Sequence, residues 1–146
     1  MPDKPILCLD FDGVIHRYSK GWQDGAIYDD MTKGFIEWAL QASKHFKLVV
    51  YSSRSKTAEG MEAMSYWFRD QLLSWHCTDD GRDDSDEIYM RFLRPSTADL
   101  LVFYFAEQKP PAFLTIDDRA ITFSGSWGDE WLKPETLRQF KPWMMR

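Results

Sequence analysis

Four short stretches carry side chains suited to metal and phosphate chemistry, and each comes directly after, or just beyond, an apolar run. Asp10-Phe11-Asp12-Gly13 follows Ile6–Leu9, and Ser52-Ser53-Arg54 follows Lys47–Tyr51. Lys109 comes after Leu100–Ala106, and Asp117-Asp118-Arg119 closes the run from Ala112 to Ile116. Carboxylates that converge without basic partners repel one another and are costly to desolvate, so a bound cation is the expected remedy. Donors that are all oxygen favour Mg2+ over zinc. Arg54 and Arg119 each follow one of these stretches, where they either grip a phosphate in bidentate fashion or pair with the carboxylates.

Such groups need a scaffold that brings strand ends together. Ile6–Phe11 is short, apolar and followed by polar residues and glycine, as a buried parallel strand reads. Residues 13–30, with glycines at 13, 21 and 25, have neither strand nor helix period and are expected to form a flap. Phe35, Ile36, Ala39, Leu40 and Ala42 recur at helical spacing, predicting a helix over about 31–45 capped by Asp30 or Thr32. Lys47–Ser52 is rich in β-branched and aromatic residues and reads as a second strand. Met61, Met64, Trp67, Phe68, Leu72 and Trp75 then predict a long helix from Thr57 to His76. Leu100–Ala106 and Ala112–Asp118 are expected to be strands three and four, the latter buried, and Pro134–Phe140 a last short helix. The alternation predicts an α/β protein: a three-layer α/β/α sandwich with a mainly parallel, Rossmann-like sheet. Ligands of such sheets bind beyond the carboxyl ends of the strands, where all four stretches fall.

Composition narrows the function classes. The chain has 146 residues, 44% hydrophobic and 28% charged, which suits one packed domain over residues 1–146. Its longest apolar run is far short of the roughly 18 residues of a membrane span, and no secretory pattern opens the sequence, so a cytoplasmic protein without membrane contact is expected. The net charge of -5 equals the charge of residues 79–87 alone, which hold six acids and one arginine. That segment is expected to lie in a solvated acidic loop over about 77–95. With no basic stripe, dedicated nucleic-acid binding is disfavoured. Cys8 and Cys77 form no paired metal spacing and are expected to be reduced thiols. His16, His45 and His76 share no ligand spacing, so structural or surface roles are expected. Tryptophans at helical spacing are expected in the core, whereas Trp22 sits in the flap, where it either selects a leaving group or is simply exposed.

Leu9-Asp10-Phe11-Asp12-Gly13-Val14 resembles the first motif of the haloacid dehalogenase (HAD) superfamily of aspartate-nucleophile phosphatases. Ser52, Lys109 and Asp117-Asp118 are similar to its second, third and fourth motifs, in order. The resemblance spans about residues 5–127 and is closest to small bacterial and phage hydrolases without a large cap domain. It implies that Asp10 attacks phosphorus to form an aspartyl-phosphate, and that Asp12 is general acid and base with a pKa raised toward neutrality. It implies further that Ser52 and Lys109 bind phosphoryl oxygens, and that Mg2+ is held by Asp10, the Asp12 carbonyl and Asp117, with Asp118 in support. Gly13, Ser53, Arg54 and Arg119 are expected around a phosphorylated small-molecule substrate.

Other readings of the same residues stand beside this one. Asp10-x-Asp12-Gly13 would suit a calcium loop only with glycine at the sixth position, where Ile15 stands. Ser52 or Ser53 would serve equally to cap the next helix, and Lys56 competes with Lys109 as the phosphate lysine. At the level of function the alternatives are a phosphatase for nucleotides or nucleic-acid ends, and a non-catalytic HAD-like binding module docking through the acidic segment.

Overall fold

The computed structural model describes residues 3–80 and 103–146, with only the backbone described at 76–80. The elements in chain order are β1 (Ile6–Leu9), α1 (Phe35–Ala42), β2 (Lys47–Val50), α2 (Ala58–Asp80), β3 (Phe103–Phe105), β4 (Leu114–Ile116) and α3 (Pro134–Arg138). The four strands form one all-parallel sheet in the order β3-β2-β1-β4. The chain therefore steps twice in one direction, then jumps back across the sheet to pair β4 with β1. The gap between β1 and β4 is the switch point at which open α/β sheets bind ligands.

Register sorts the side chains by face. Leu7 aligns with Leu48 and Leu114, Leu48 with Phe103, and Leu9 with Val50 and Ile116. Leu7, Leu9, Leu48, Val50 and Phe103 join Phe35, Ile36 and Ala39 of α1 and Met64, Trp67, Phe68 and Leu72 of α2 in one buried cluster. Both helices thus cover the same face. Cys8, Val49, Tyr104 and Thr115 take the opposite face by alternation.

Several boundaries differ from the sequence reading. α1 begins at Phe35, after Gly34 at the N-cap position and without a side-chain cap, and Thr32, one of the two expected caps, instead donates its Oγ1 proton to the Val14 carbonyl at 2.7 Å. α2 runs on to Asp80, so residues 77–80, expected in the acidic loop, are helical, while the rest of that loop and the start of strand three lie outside the described residues. β4 is not buried: it is a sheet edge, and Leu114 is 54% exposed. Its apolar face borders an open groove of about 230 Å³ with Leu9, Val14, Phe35 and Trp38. Trp67 is in the core as expected, whereas Trp127 and Trp131 are largely exposed. Residues 13–34 contain no regular element, matching the flap. No helix among the described residues is long and apolar enough to cross a membrane.

Candidate active site

β1 ends at Leu9, and Asp10 continues alongside β4, its N–H donating to the Ile116 carbonyl at 3.0 Å. This ladder bond sets Asp10 beside the residues that follow β4. Oxygens of Asp10, Asp117 and Asp118 lie within 4.8 Å of one another. Burial pushes the Asp10 carboxyl up to about 7, and the negative charge of Asp117 adds to it. Burial also raises Asp118, which hydrogen-bonds Asp10, so the two share a proton when no cation is bound. Three carboxylates with no nitrogen or sulfur donor form a hard, oxygen-only set, which fits Mg2+.

Gly13 is what allows Asp118 to come so close. Its φ is +84°, and a Cβ there would stand 2.2 Å from Asp118 Oδ2. Only glycine meets both demands at once. Its carbonyl accepts the Trp143 indole N–H at 2.7 Å, so the end of the described chain is tied to the loop that carries Asp10 and Asp12.

Asp10, Asp117, Ser52, Ser53 and Lys109 line a cavity of about 330 Å³ with Cys8, Tyr51, Thr115 and Ala120. Lys109 reaches it from the connection between β3 and β4. Lys56 instead sits in the 3-10 turn Ser53–Lys56. Ser52 does cap that turn, accepting the Arg54 N–H at 3.2 Å, while its own N–H donates to Ser55 Oγ at 3.2 Å. Its hydroxyl proton is not used by these two bonds, so capping and phosphate binding are compatible.

Asp12 behaves differently from expectation. Arg54 Nε donates to its Oδ2 at 2.9 Å and Arg54 Nη2 to its Oδ1 at 3.3 Å, a bidentate ion pair. His16 Nδ1 lies 2.8 Å from Oδ1, while His16 Nε2 accepts the Asp29 N–H at 3.0 Å. That second bond leaves the ring proton on Nδ1, directed at Asp12. Burial alone would raise the Asp12 carboxyl, but the hydrogen bonds from His16 and Arg54 outweigh it and hold it below the ordinary carboxylate range. The expectation of an Asp12 pKa near neutrality is therefore corrected. The reason is the cationic fork and imidazole, not visible in the Asp-x-Asp spacing. With both carboxylate oxygens engaged, only the backbone carbonyl of Asp12 is left for a cation, which is the role the motif implied.

The two readings of Arg54 are resolved in favour of pairing. Its third nitrogen, Nη1, donates to the Gly25 carbonyl at 2.5 Å, and the guanidinium lies 5.2 Å from the Trp22 ring centroid. Arg119 is exposed, and its N–H donates to Asp117 Oδ1 at 2.8 Å, forming the tight turn that follows β4. His16, expected to be structural or at the surface, is fully buried. Its position four residues after Asp12 was the one available signal of its contact. Trp143 had none, being 130 residues from its partner in sequence.

No family model, curated protein or solved structure matches the chain.

Proposed function

We propose that the protein is a Mg2+-dependent phosphomonoester hydrolase of the HAD type, a three-layer α/β/α enzyme using Asp10 as nucleophile. The observation that carries this reading is the convergence of Asp10, Asp117 and Asp118 at the β1/β4 switch point, two of which, Asp10 and Asp117, line one cavity together with Ser52 and Lys109. A cation of the Mg2+ class held by Asp10, Asp117, Asp118 and the Asp12 carbonyl would screen the carboxylates and the charge on the transferring phosphoryl group.

The chain's own groups supply the rest. Asp10 attacks phosphorus, a new bond forms from its carboxylate oxygen, and the bond to the leaving oxygen breaks. Lys109 and the Ser52 hydroxyl hold the phosphoryl oxygens as charge spreads over them. Water then attacks phosphorus, the Asp10–phosphorus bond breaks, and inorganic phosphate departs. Asp12 would take the proton from that water, although its contacts with Arg54 and His16 occupy both of its oxygens and lower its basicity. The same contacts make it a reluctant acid in the first step, so good leaving groups should be favoured.

The direct test is phosphate release from 4-nitrophenyl phosphate with Mg2+, compared with Asp10→Asn and with chelator. Metal-dependent turnover absent from both controls supports the reading. Equal inactivity of native protein and Asp10→Asn across several metals and pH values overturns it.

A further inference from the structure

Both nitrogens of the buried His16 ring are engaged, one on each side. Nδ1 donates to Asp12 Oδ1 at 2.8 Å, and Nε2 accepts the Asp29 N–H at 3.0 Å. Packing fixes the ring between these partners. Phe11 stacks on it with centroids 5.6 Å apart, and Tyr28 and Trp67 meet it edge-on at 5.3 Å and 5.6 Å. The His16 N–H donates to the Phe11 carbonyl at 3.0 Å, and its own carbonyl accepts the Gly13 N–H at 2.8 Å. Asp29 is anchored as well: its carbonyl accepts the Trp67 indole N–H at 3.0 Å, and its Oδ2 accepts the Ser19 N–H at 2.9 Å.

The donors at Asp12 are divided unequally. Among the described residues, Oδ1 accepts from two, His16 Nδ1 and Arg54 Nη2, whereas Oδ2 accepts from Arg54 Nε alone. An ionised carboxyl offers about two acceptor sites on each oxygen. Oδ1 is therefore filled, and one site is left on Oδ2. Without the imidazole each oxygen would keep a free site, one of them turned toward the flap. His16 thus removes the unproductive site and holds the carboxylate in a single orientation.

We propose that His16 is a positioning residue for the reaction, its Nδ1–H holding Asp12 so that Oδ2 takes the proton of the attacking water. This rests on the phosphomonoester reading above. In the second step the water oxygen bonds to phosphorus, the bond between phosphorus and the Asp10 oxygen breaks, and the water proton passes to Asp12 Oδ2. Asp29, through Nε2, sets the plane in which the Nδ1–H is aimed.

The test separates the two ends of the ring. Asn places an amide N–H where Nδ1 stands and gives up the bond to Asp29, and Gln places an oxygen where Nε2 stands and gives up the donor to Asp12. The substrate is 4-nitrophenyl phosphate with Mg2+, because its leaving group departs without needing a proton and only the second step then uses Asp12. His16→Gln should give a burst of 4-nitrophenolate that matches its active sites, followed by a steady-state kcat about 10-fold to 100-fold below native. His16→Asn should keep the burst and stay within about threefold of native. The burst counts folded sites, so a steady-state loss matched by an equal loss of burst means that His16 only packs the flap, and the proposal fails. Equal steady-state loss in the two variants, loss in neither, or a greater loss in His16→Asn overturns it as well. If native protein shows no metal-dependent turnover, the phosphatase reading itself falls and takes the proposal with it.

Discussion

The indole N–H of Trp143 donates to the carbonyl oxygen of Gly13 at 2.7 Å, joining the last turn of the described chain to the loop between Asp12 and the flap. Gly13 is buried, so its carbonyl depends on this donor for part of its hydrogen bonding. A buried acceptor left unpaired costs about 1–3 kcal/mol. Trp143→Phe keeps the ring and removes the donor, and should lower the unfolding free energy by that order. The same variant should also reduce kcat, because Gly13 sets the approach of Asp118. Denaturant titration and phosphate-release kinetics on one preparation check both effects; unchanged kcat in a destabilised protein would confine Trp143 to a structural role.

Asp10 keeps its proton up to about 7 in the fold, against about 4 in an unfolded chain. The folded state therefore binds more protons between those values, and the metal-free protein should lose stability as pH rises from about 4 to about 7. Asp10→Asn removes one of three crowded charges and should raise the melting temperature in chelator at pH 7.5 while abolishing turnover. Thermal melts of both proteins over pH 5–8 provide the comparison.

Binding of Mg2+ should reverse that pH trend. Loading the site requires the shared Asp10–Asp118 proton to leave, so affinity should weaken below about pH 7 and uptake should release close to one proton per ion. At about 100 times its Kd the ion should add roughly 2.7 kcal/mol of stability. Calorimetry in two buffers of different ionisation enthalpy measures the proton count, and a count of zero at pH 6 contradicts the shared-proton picture.

Arg54 and Asp12 are each largely buried, with side chains 6% and 15% exposed. Arg54→Met should leave the Asp12 carboxylate without its cation and destabilise the fold by about 3 kcal/mol. The Asp12 carboxyl is held low in the fold, so its contribution to stability is present above about pH 4 and fades as pH falls through its depressed value. Arg54→Met should therefore narrow its stability deficit relative to native protein in strong acid. Urea titrations at pH 7 and pH 3 test the sign.

Lys109 and Lys56 separate cleanly by position. Lys109→Ala removes the cation lining the cavity and should cut kcat/KM for 4-nitrophenyl phosphate by about 100-fold. Lys56→Ala, exposed on the 3-10 turn, should change it less than about twofold. Equal losses in the two variants would reassign the phosphate lysine.

The parallel sheet was legible because its strands β1 and β2 are short apolar runs joined by a helix of clear period, and because strand ends collect polar residues in such sheets. Asp10, Ser52, Lys109 and Asp117 were legible for the same reason, and the structure places all four on one cavity. The protonation of the acid pair was not. Spacing says that Asp10 and Asp12 are two apart, but not that β1 stops at Leu9 and turns Asp12 toward Arg54 and His16. The exposure of β4 was also hidden, since Phe113, Leu114 and Ile116 have the composition of a core strand. Whether such a strand is covered depends on what the rest of the chain packs onto it, which composition does not encode.

The position of β1 between β2 and β4 has a consequence for biosynthesis. β1 acquires its β2 neighbour after a few dozen more residues, but waits for Leu114–Ile116 before the other edge is paired. During translation Asp10 would be in place long before Asp117 and Asp118 arrive, so a nascent chain can form its helical face while the cluster of three carboxylates does not yet exist. If Mg2+ binds the three carboxylates as proposed, its effect on refolding should be confined to a late phase.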